Sequence, residues 1–267
     1  MTQLINPDLF TNAVTSLRSF FLTKGFQEVH TQNRLSILAA CEDPTTVATY
    51  NYNGNIWPLP QTGQMWLEYE LLTKPDIPGF FCVSTSYRQE PNIIEGRHDT
   101  IFPMFEFEFP GTIKELEMME KDLLKHLGLP TPMVKDYATW CMYYGTDELN
   151  NDHEEKMGKE FGSAMITNFP NHTSPFWNMK QNGDATAAKI DVILGGMETI
   201  GSAERSTNID EMRDMFHTIS DGGYAQLLYD LFGKDRVEAE LDEFLKLNFF
   251  PRVGGGIGVT RLIQAMM

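Results

Sequence analysis

The chain is poor in cysteine. Cys41, Cys82 and Cys141 are the whole set, an odd number with no Cys-x-x-Cys spacing. That pattern excludes a disulfide framework and a cysteine zinc cluster, and it fits a reducing compartment. Basic residues are also scarce, with 21 Lys and Arg against 37 Asp and Glu and a formal net charge of −16. A partner gripped mainly through neutralised phosphates needs the opposite balance, although a local basic pocket for a small anion is still allowed. No apolar run reaches the length of a membrane span, and the opening MTQLINPDLF has neither the basic nor the apolar block of a secretory signal. Internal repeats, low-complexity tracts and Gly/Ser/Pro-rich linkers are missing too. What is present is a globular composition, 42% hydrophobic over 267 residues, enough chain to bury a real core. The expectation is one soluble, cytoplasmic domain spanning 1–267.

Local patterns place several elements. Pro7 to Lys24 reads as a helix, with Pro7 at its first position, Val14, Leu17, Phe20 and Phe21 on one stripe and Gly25 to end it. Residues 25–31 read as a strand, and residues 42–60 as short strands or a loop. Thr112 and Glu115 form a capping pair ahead of an apolar stripe running to Leu127. Residues 146–162 read as an acidic, solvated surface helix, and Val237, Leu241, Phe244 and Leu245 mark another amphipathic helix. Strands mixed irregularly with helices, without βαβ alternation, point to an α+β fold.

Three stretches carry chemistry. The first, residues 80–109, reads as a long hairpin. Its first arm puts Phe81, Val83, Thr85 and Tyr87 on one face and Ser84, Ser86, Arg88 and Glu90 on the other. Its second arm puts Phe105, Phe107 and Phe109 opposite Met104, Glu106 and Glu108. An ordinary salt-bridged hairpin shows a Lys/Glu/Thr face. This one mixes charge with small serines, and its long connection carries Arg97 and His98, which suits an anion. The second stretch, IDVILGGMETIGSAER, sets Asp191 in an apolar strand ahead of Glu198 and Arg205. Buried carboxylates need a cation. Hard oxygen ligands without His or Cys suit Mg²⁺, and an ion pair with Arg205 is the plainer alternative. The third, RVGGGIGVTRLIQAMM, has glycines through Gly258 that allow close backbone approach, with Thr260 as a helix cap and Arg261 in the first turn. It is neither a P-loop nor a Rossmann fingerprint, but a cation beside exposed amides suits a phosphate.

In this order the three stretches resemble motifs 2 and 3 of a class II aminoacyl-tRNA synthetase, with the acidic segment between them. Residues 12–31 resemble motif 1, with Thr31-Gln32 where Thr-Pro is usual. The resemblance is to the aspartate/asparagine/lysine subgroup, nearest to the asparaginyl enzymes. Gln61-Thr-Gly-Gln-Met-Trp-Leu-Glu68 resembles their amino-acid-binding strand, with Leu67 where an aspartyl enzyme carries Lys, and residues 162–179 resemble their segment before the acidic motif. Gly201 stands where many relatives have Ser.

The resemblance implies an antiparallel β-sheet flanked by helices, a homodimer through residues 12–31, and ATP and Mg²⁺ as cofactors. By position, Arg88 is the arginine on the α-phosphate and the reacting carboxylate, and Glu90 its companion acid. Arg97 and His98 face the outer phosphates, Phe102 stacks on adenine, Gly258 lies beside the nucleotide and Arg261 holds the γ-phosphate. Asp191 and Glu198 are the implied Mg²⁺ ligands. Gln64, Glu68, Glu106 and Arg205 line the amino-acid pocket.

The implied activity is ATP-dependent activation of asparagine or aspartate as an aminoacyl-adenylate. A domain for reading an anticodon is not expected, and with the acidic balance this favours a small acceptor such as ammonia. A minimal asparaginyl-tRNA synthetase and a non-catalytic regulatory paralogue are the alternatives. No membrane partner is expected.

Overall fold

A computed structural model describes residues 4–31, 36–38, 46–89, 99–173 and 176–267. The predicted N-terminal helix, α1 (Pro7–Thr23), starts at Asn6, whose side chain accepts from the Asp8 and Leu9 amides, with Pro7 in the first turn. The strand expected over 25–31 shrinks to β1 (Gln27–Glu28), paired parallel at the edge of the sheet with β4 (Phe80–Tyr87). Both of its residues are exposed. The segment read as short strands is a hairpin, β2 (Ala48–Tyr52) and β3 (Asn55–Leu59), outside the main sheet.

Gln61–Glu68 departs from expectation. A strand was expected there, and the chain instead enters helix α2 (Gln64–Thr73). Gln64, Met65, Trp66, Leu67 and Glu68 are all buried, so the helix has no polar face and shows no 3.6-residue alternation. The acidic surface helix also starts later than expected, as α5 (Asn151–Phe161), and Met157 is its one buried residue.

The sheet has eight strands in the order β1-β4-β5-β10-β9-β8-β7-β6. The remaining members are β5 (Ile101–Pro110), β6 (Met133–Asp136), β7 (Ser163–Pro170), β8 (Thr186–Leu194), β9 (Met197–Glu204) and β10 (Arg252–Gly258). The six central strands are antiparallel, and the two edge pairings, β1 with β4 and β6 with β7, are parallel. One face is apolar. Phe81, Phe105, Phe107, Ile190, Val192, Ile200, Val253 and Ile257 pack there under α1, α3 (Ile113–His126) and α9 (Val259–Ala265). Phe21 of α1 sits 5.2 and 5.0 Å from the rings of Phe105 and Phe107. The capping pair predicted for α3 is in place, Glu115 accepting from the Thr112 amide at 2.9 Å. A second core joins α2 to α6 (Ile209–Thr218), α7 (Gly223–Phe232) and α8 (Lys234–Leu245) around Trp177, Phe216 and Phe244. Among the described residues no helix is long and apolar enough to cross a membrane.

Candidate active site

The other face of the sheet carries the polar side chains. Register places Cys82, Glu106, Gly256, Gly201 and Asp191 in one row across five strands. The next row runs Phe80, Glu108, Gly254, Ala203, Lys189. Between Glu106 and Asp191 the floor is therefore glycine, across three strand spacings or about 14 Å. The glycines read as allowing close backbone approach lie in the central strand β10, where Gly256 forms part of this floor, and α9 is capped by Gly258 rather than Thr260. Gly254 has a packing reason, since a Cβ there would lie 1.8 Å from Glu108 Oε2 and 2.5 Å from Gln64 Nε2.

At one end of the trough Glu106 anchors α2. It is fully buried and accepts from the Gly63 amide at 3.0 and 2.9 Å, from Ser84 Oγ at 2.6 Å, and from the Thr62 hydroxyl. A carboxylate at a helix start satisfies amides that lack intrahelical partners and complements the dipole. Burial and the nearby Glu106 charge hold the Cys82 thiol well above its usual range, so this cysteine is inert.

Beside it lies a buried cluster of two carboxylates and two guanidiniums. Arg252 donates from Nε and Nη2 to Glu68 Oε2, at 2.9 and 2.6 Å. Arg205 lies 3.5 Å from Glu68 Oε1 and donates to Glu108 at 3.4 and 3.3 Å. Gln64 donates to the Phe107 carbonyl at 2.9 Å and also to Glu108. Burial pushes Glu108 up to about 7, aided by Glu68 and opposed by Arg205 and Arg252. Arg205 thus pairs with Glu68 and Glu108 rather than with Asp191 or Glu198, the ion pair considered from sequence.

At the end of the β4–β5 hairpin, Phe102 and Ser86 are register partners and Arg88 follows β4 directly. The Arg88 guanidinium lies 5.6 Å from the centre of the Phe102 ring, a cation–π contact that holds the two side chains together. Glu90, Arg97 and His98 lie outside the described residues. Across the floor, a Cβ on Gly201 would meet Glu198 Oε1 at 2.9 Å and Asp191 Oδ1 at 3.7 Å, so both carboxylates hang over one side-chain-free position. Two carboxylates over one open position fit Mg²⁺, which takes one or two protein carboxylates and completes its shell with other oxygens. Lys189 also pairs with Asp191, at 3.2 Å. Arg261 donates from Nη1 to the Glu198 carbonyl oxygen at 2.5 Å, tying α9 to the start of β9.

Residues 6–267 match the model of the class II tRNA synthetases (D, K and N). The chain belongs to this family. Solved structures agree in fold. An asparaginyl-tRNA synthetase from Pyrococcus horikoshii, complexed with asparaginyl-adenylate, is 20% identical with a TM-score of 0.78, over 97% of this chain and 64% of that one. The Entamoeba histolytica asparaginyl-tRNA synthetase with the same adenylate is 19% identical, TM-score 0.75, over 97% and 63%. A putative aspartyl-tRNA synthetase from Leishmania major is 18% identical, TM-score 0.75, over 97% and 61%. This chain therefore spans a little under two thirds of these relatives. No curated protein matches it.

Of the expected residues in the described segments, Gln64, Glu68, Glu106 and Arg205 gather at one end of the trough, Asp191, Glu198 and Arg261 at the other, and Arg88 meets Phe102. Arg252, Asn178 and Lys189 were missed. Arg252 and Asn178 both contact Glu68, a residue far from either in sequence, so neither spacing nor periodicity announces them. Lys189 had a local signal, standing two residues before Asp191 and so on the same face of β8.

Proposed function

We propose that the chain activates asparagine with ATP, forming asparaginyl-adenylate and pyrophosphate. The substrate carboxylate attacks the α-phosphorus in line. One carboxylate-oxygen-to-phosphorus bond forms, the bond from the α-phosphorus to the bridging oxygen breaks, and the electron pair leaves with pyrophosphate. Catalysis of this step consists of positioning and charge stabilisation. Arg88 would hold the α-phosphate and the incoming carboxylate, Phe102 the adenine, and Arg261 the outer phosphates. Asp191 and Glu198 would hold Mg²⁺, which neutralises phosphate charge when bound. No protein nucleophile is required.

The observation that carries the choice of amino acid is the buried cluster of Glu68, Glu108, Arg205 and Arg252. With all four ionised it is neutral, and a neutral, dry site favours a carboxamide over a carboxylate. Leu67 in place of the aspartyl enzymes' lysine supports the same choice. We propose a small acceptor such as ammonia for the activated acyl group, because a formal charge of −16 opposes broad contact with a polyanion. Charging of tRNA is the second reading, favoured by membership of a family of tRNA synthetases. Pyrophosphate exchange with each amino acid, followed by trapping with ammonia, hydroxylamine or tRNA, tests both parts. Arg88→Ala or Arg261→Ala should lower exchange by about 10²-fold or more with the fold intact. Wild-type rates in both variants would remove the site assignment.

A further inference from the structure

Arg252 opens β10, is fully buried, and gives two of its N–H groups to a single oxygen, Glu68 Oε2. Its third nitrogen donates to the Ser206 carbonyl oxygen at 3.1 Å, and the Phe249 ring lies 4.8 Å from its Cζ. The other oxygen of Glu68, Oε1, accepts from Asn178 Nδ2 at 2.7 Å and lies 3.5 Å from Arg205. Glu68 is thereby pinned through Oε2 by Arg252 while Oε1 still faces Arg205. Arg205 is held more loosely, between Glu68 and Glu108, by contacts of 3.3 to 3.5 Å. A buried carboxylate that lost its close partner would move to the nearest remaining cation, because an unpaired charge in a dry site costs more than a change of rotamer. Here that cation is Arg205.

We infer that Arg252 is a positioning residue for amino-acid selection: by pinning Glu68 it limits how far Glu68 draws Arg205 from the amino-acid side chain, and it brings the cluster of Glu68, Glu108, Arg205 and Arg252 to zero net charge. Arg252 itself does not touch the substrate. The inference rests on the proposed reading that Glu68 and Arg205 face the amino-acid side chain. An arginine is required for geometric reasons, since its fork reaches Glu68 with two nitrogens and Ser206 with the third, which a lysine ammonium on a flexible stem cannot reproduce.

Pyrophosphate exchange at pH 8, with asparagine and with aspartate, tests this in the whole chain. The comparison covers wild type, Arg252→Met, Arg252→Lys, Glu68→Gln and the double variant Glu68→Gln/Arg252→Met. Arg252→Met should raise KM for asparagine about tenfold or more while kcat and the KM for ATP change by less than about threefold. Arg252→Lys, which keeps the charge, should recover part of that loss. Glu68→Gln leaves two guanidiniums facing one carboxylate, so aspartate should gain on asparagine by about tenfold.

The double variant decides the matter even if Arg252→Met alone does not fold, because it removes both charges of the pair together. Its KM for asparagine should lie within about threefold of that of Glu68→Gln, since Arg252 acts only through Glu68. A further rise of about tenfold on top of Glu68→Gln would overturn the inference, as would an unchanged amino-acid preference in Glu68→Gln. Exchange by wild type with neither amino acid would instead overturn the proposed substrate, and the inference with it.

Discussion

At the scale of single residues, two buried carboxyls connect the packing to pH. Glu120 of α3 is fully buried, and neither carboxyl oxygen has a hydrogen-bond partner. Burial pushes it up to about 8 against a smaller pull from Ser202, whose hydroxyl is directed at the Ile190 carbonyl oxygen 3.1 Å away. A raised carboxyl binds its proton more tightly in the folded chain than in the unfolded one. Its stabilising effect is therefore complete at low pH and is lost as pH rises from the ordinary Glu range through about 8. Glu120→Gln should remove that loss and stabilise the fold at pH 8.5 by about 1–3 kcal/mol, with little effect at pH 5. Urea unfolding at the two values checks this, and equal effects at both would refute a neutral Glu120. Glu108, pushed up to about 7, predicts a different readout. The groups facing it are Gln64 and Glu68 from α2, Arg205 beyond β9 and Arg252 from β10. Its protonation below about 7 leaves two guanidiniums facing the one carboxylate of Glu68. Aspartate should then gain on asparagine as pH falls from 8 to 6. An exchange ratio that stays flat over this interval would show that Glu108 does not titrate in the site.

At the scale of elements, α2 carries two residues of the proposed amino-acid pocket. Its first turn carries Gln64, its next turn Glu68, and its start is held by Glu106 from β5. Glu106→Gln would replace a charge-assisted anchor by a neutral one and turn a donor towards the Gly63 amide. We expect about 1–3 kcal/mol of destabilisation and a rise in KM for the amino acid of about tenfold, with the KM for ATP largely kept. Equal losses for both substrates would mean that α2 does not act separately on the amino acid. α2 is also where sequence reading failed most clearly. α1, α3 and α8 each have one wet and one dry face, so apolar spacing reveals them, whereas α2, buried in an unbroken run from Gln64 to Glu68 with polar residues inside it, leaves no such trace. The hairpin of β4 and β5 was readable because Phe105, Phe107 and Phe109 alternate with Glu106 and Glu108. The pattern did not show that those glutamates are fully buried. They are buried because α2 and the glycines of β10 close over them.

At the scale of the molecule, the sheet divides labour between its faces. One face is an apolar core under α1, α3 and α9, and the other is the polar trough. Near the end of α1 Leu22 is about half exposed, at 54%, and Leu4, ahead of the helix, is 87% exposed. If residues 12–31 pair two copies, as the family resemblance implies, the 30.4 kDa chain should sediment at roughly twice that mass. Leu22→Asp should shift it towards the monomer by about 1–3 kcal/mol of lost interface burial. A monomeric wild type at micromolar concentration would remove that expectation.

The sequence by itself determined the family, the α+β class and the amphipathic helices, and it singled out Arg88, Phe102, Asp191, Glu198, Arg205 and Arg261 as candidates. These depend on local order, since a motif is a fixed spacing along one strand or helix and survives translation into numbers on a chain. Only the tertiary structure decided how the charges pair. Arg252 meets Glu68 across 184 positions, Glu108 meets Arg205 across 97, and the glycines of β10 serve as a floor between distant carboxylates. The strength and meaning of a buried charge depend on which opposite charge the fold brings within a few ångströms and on how much water is excluded, and neither is encoded in the spacing of residues along the chain.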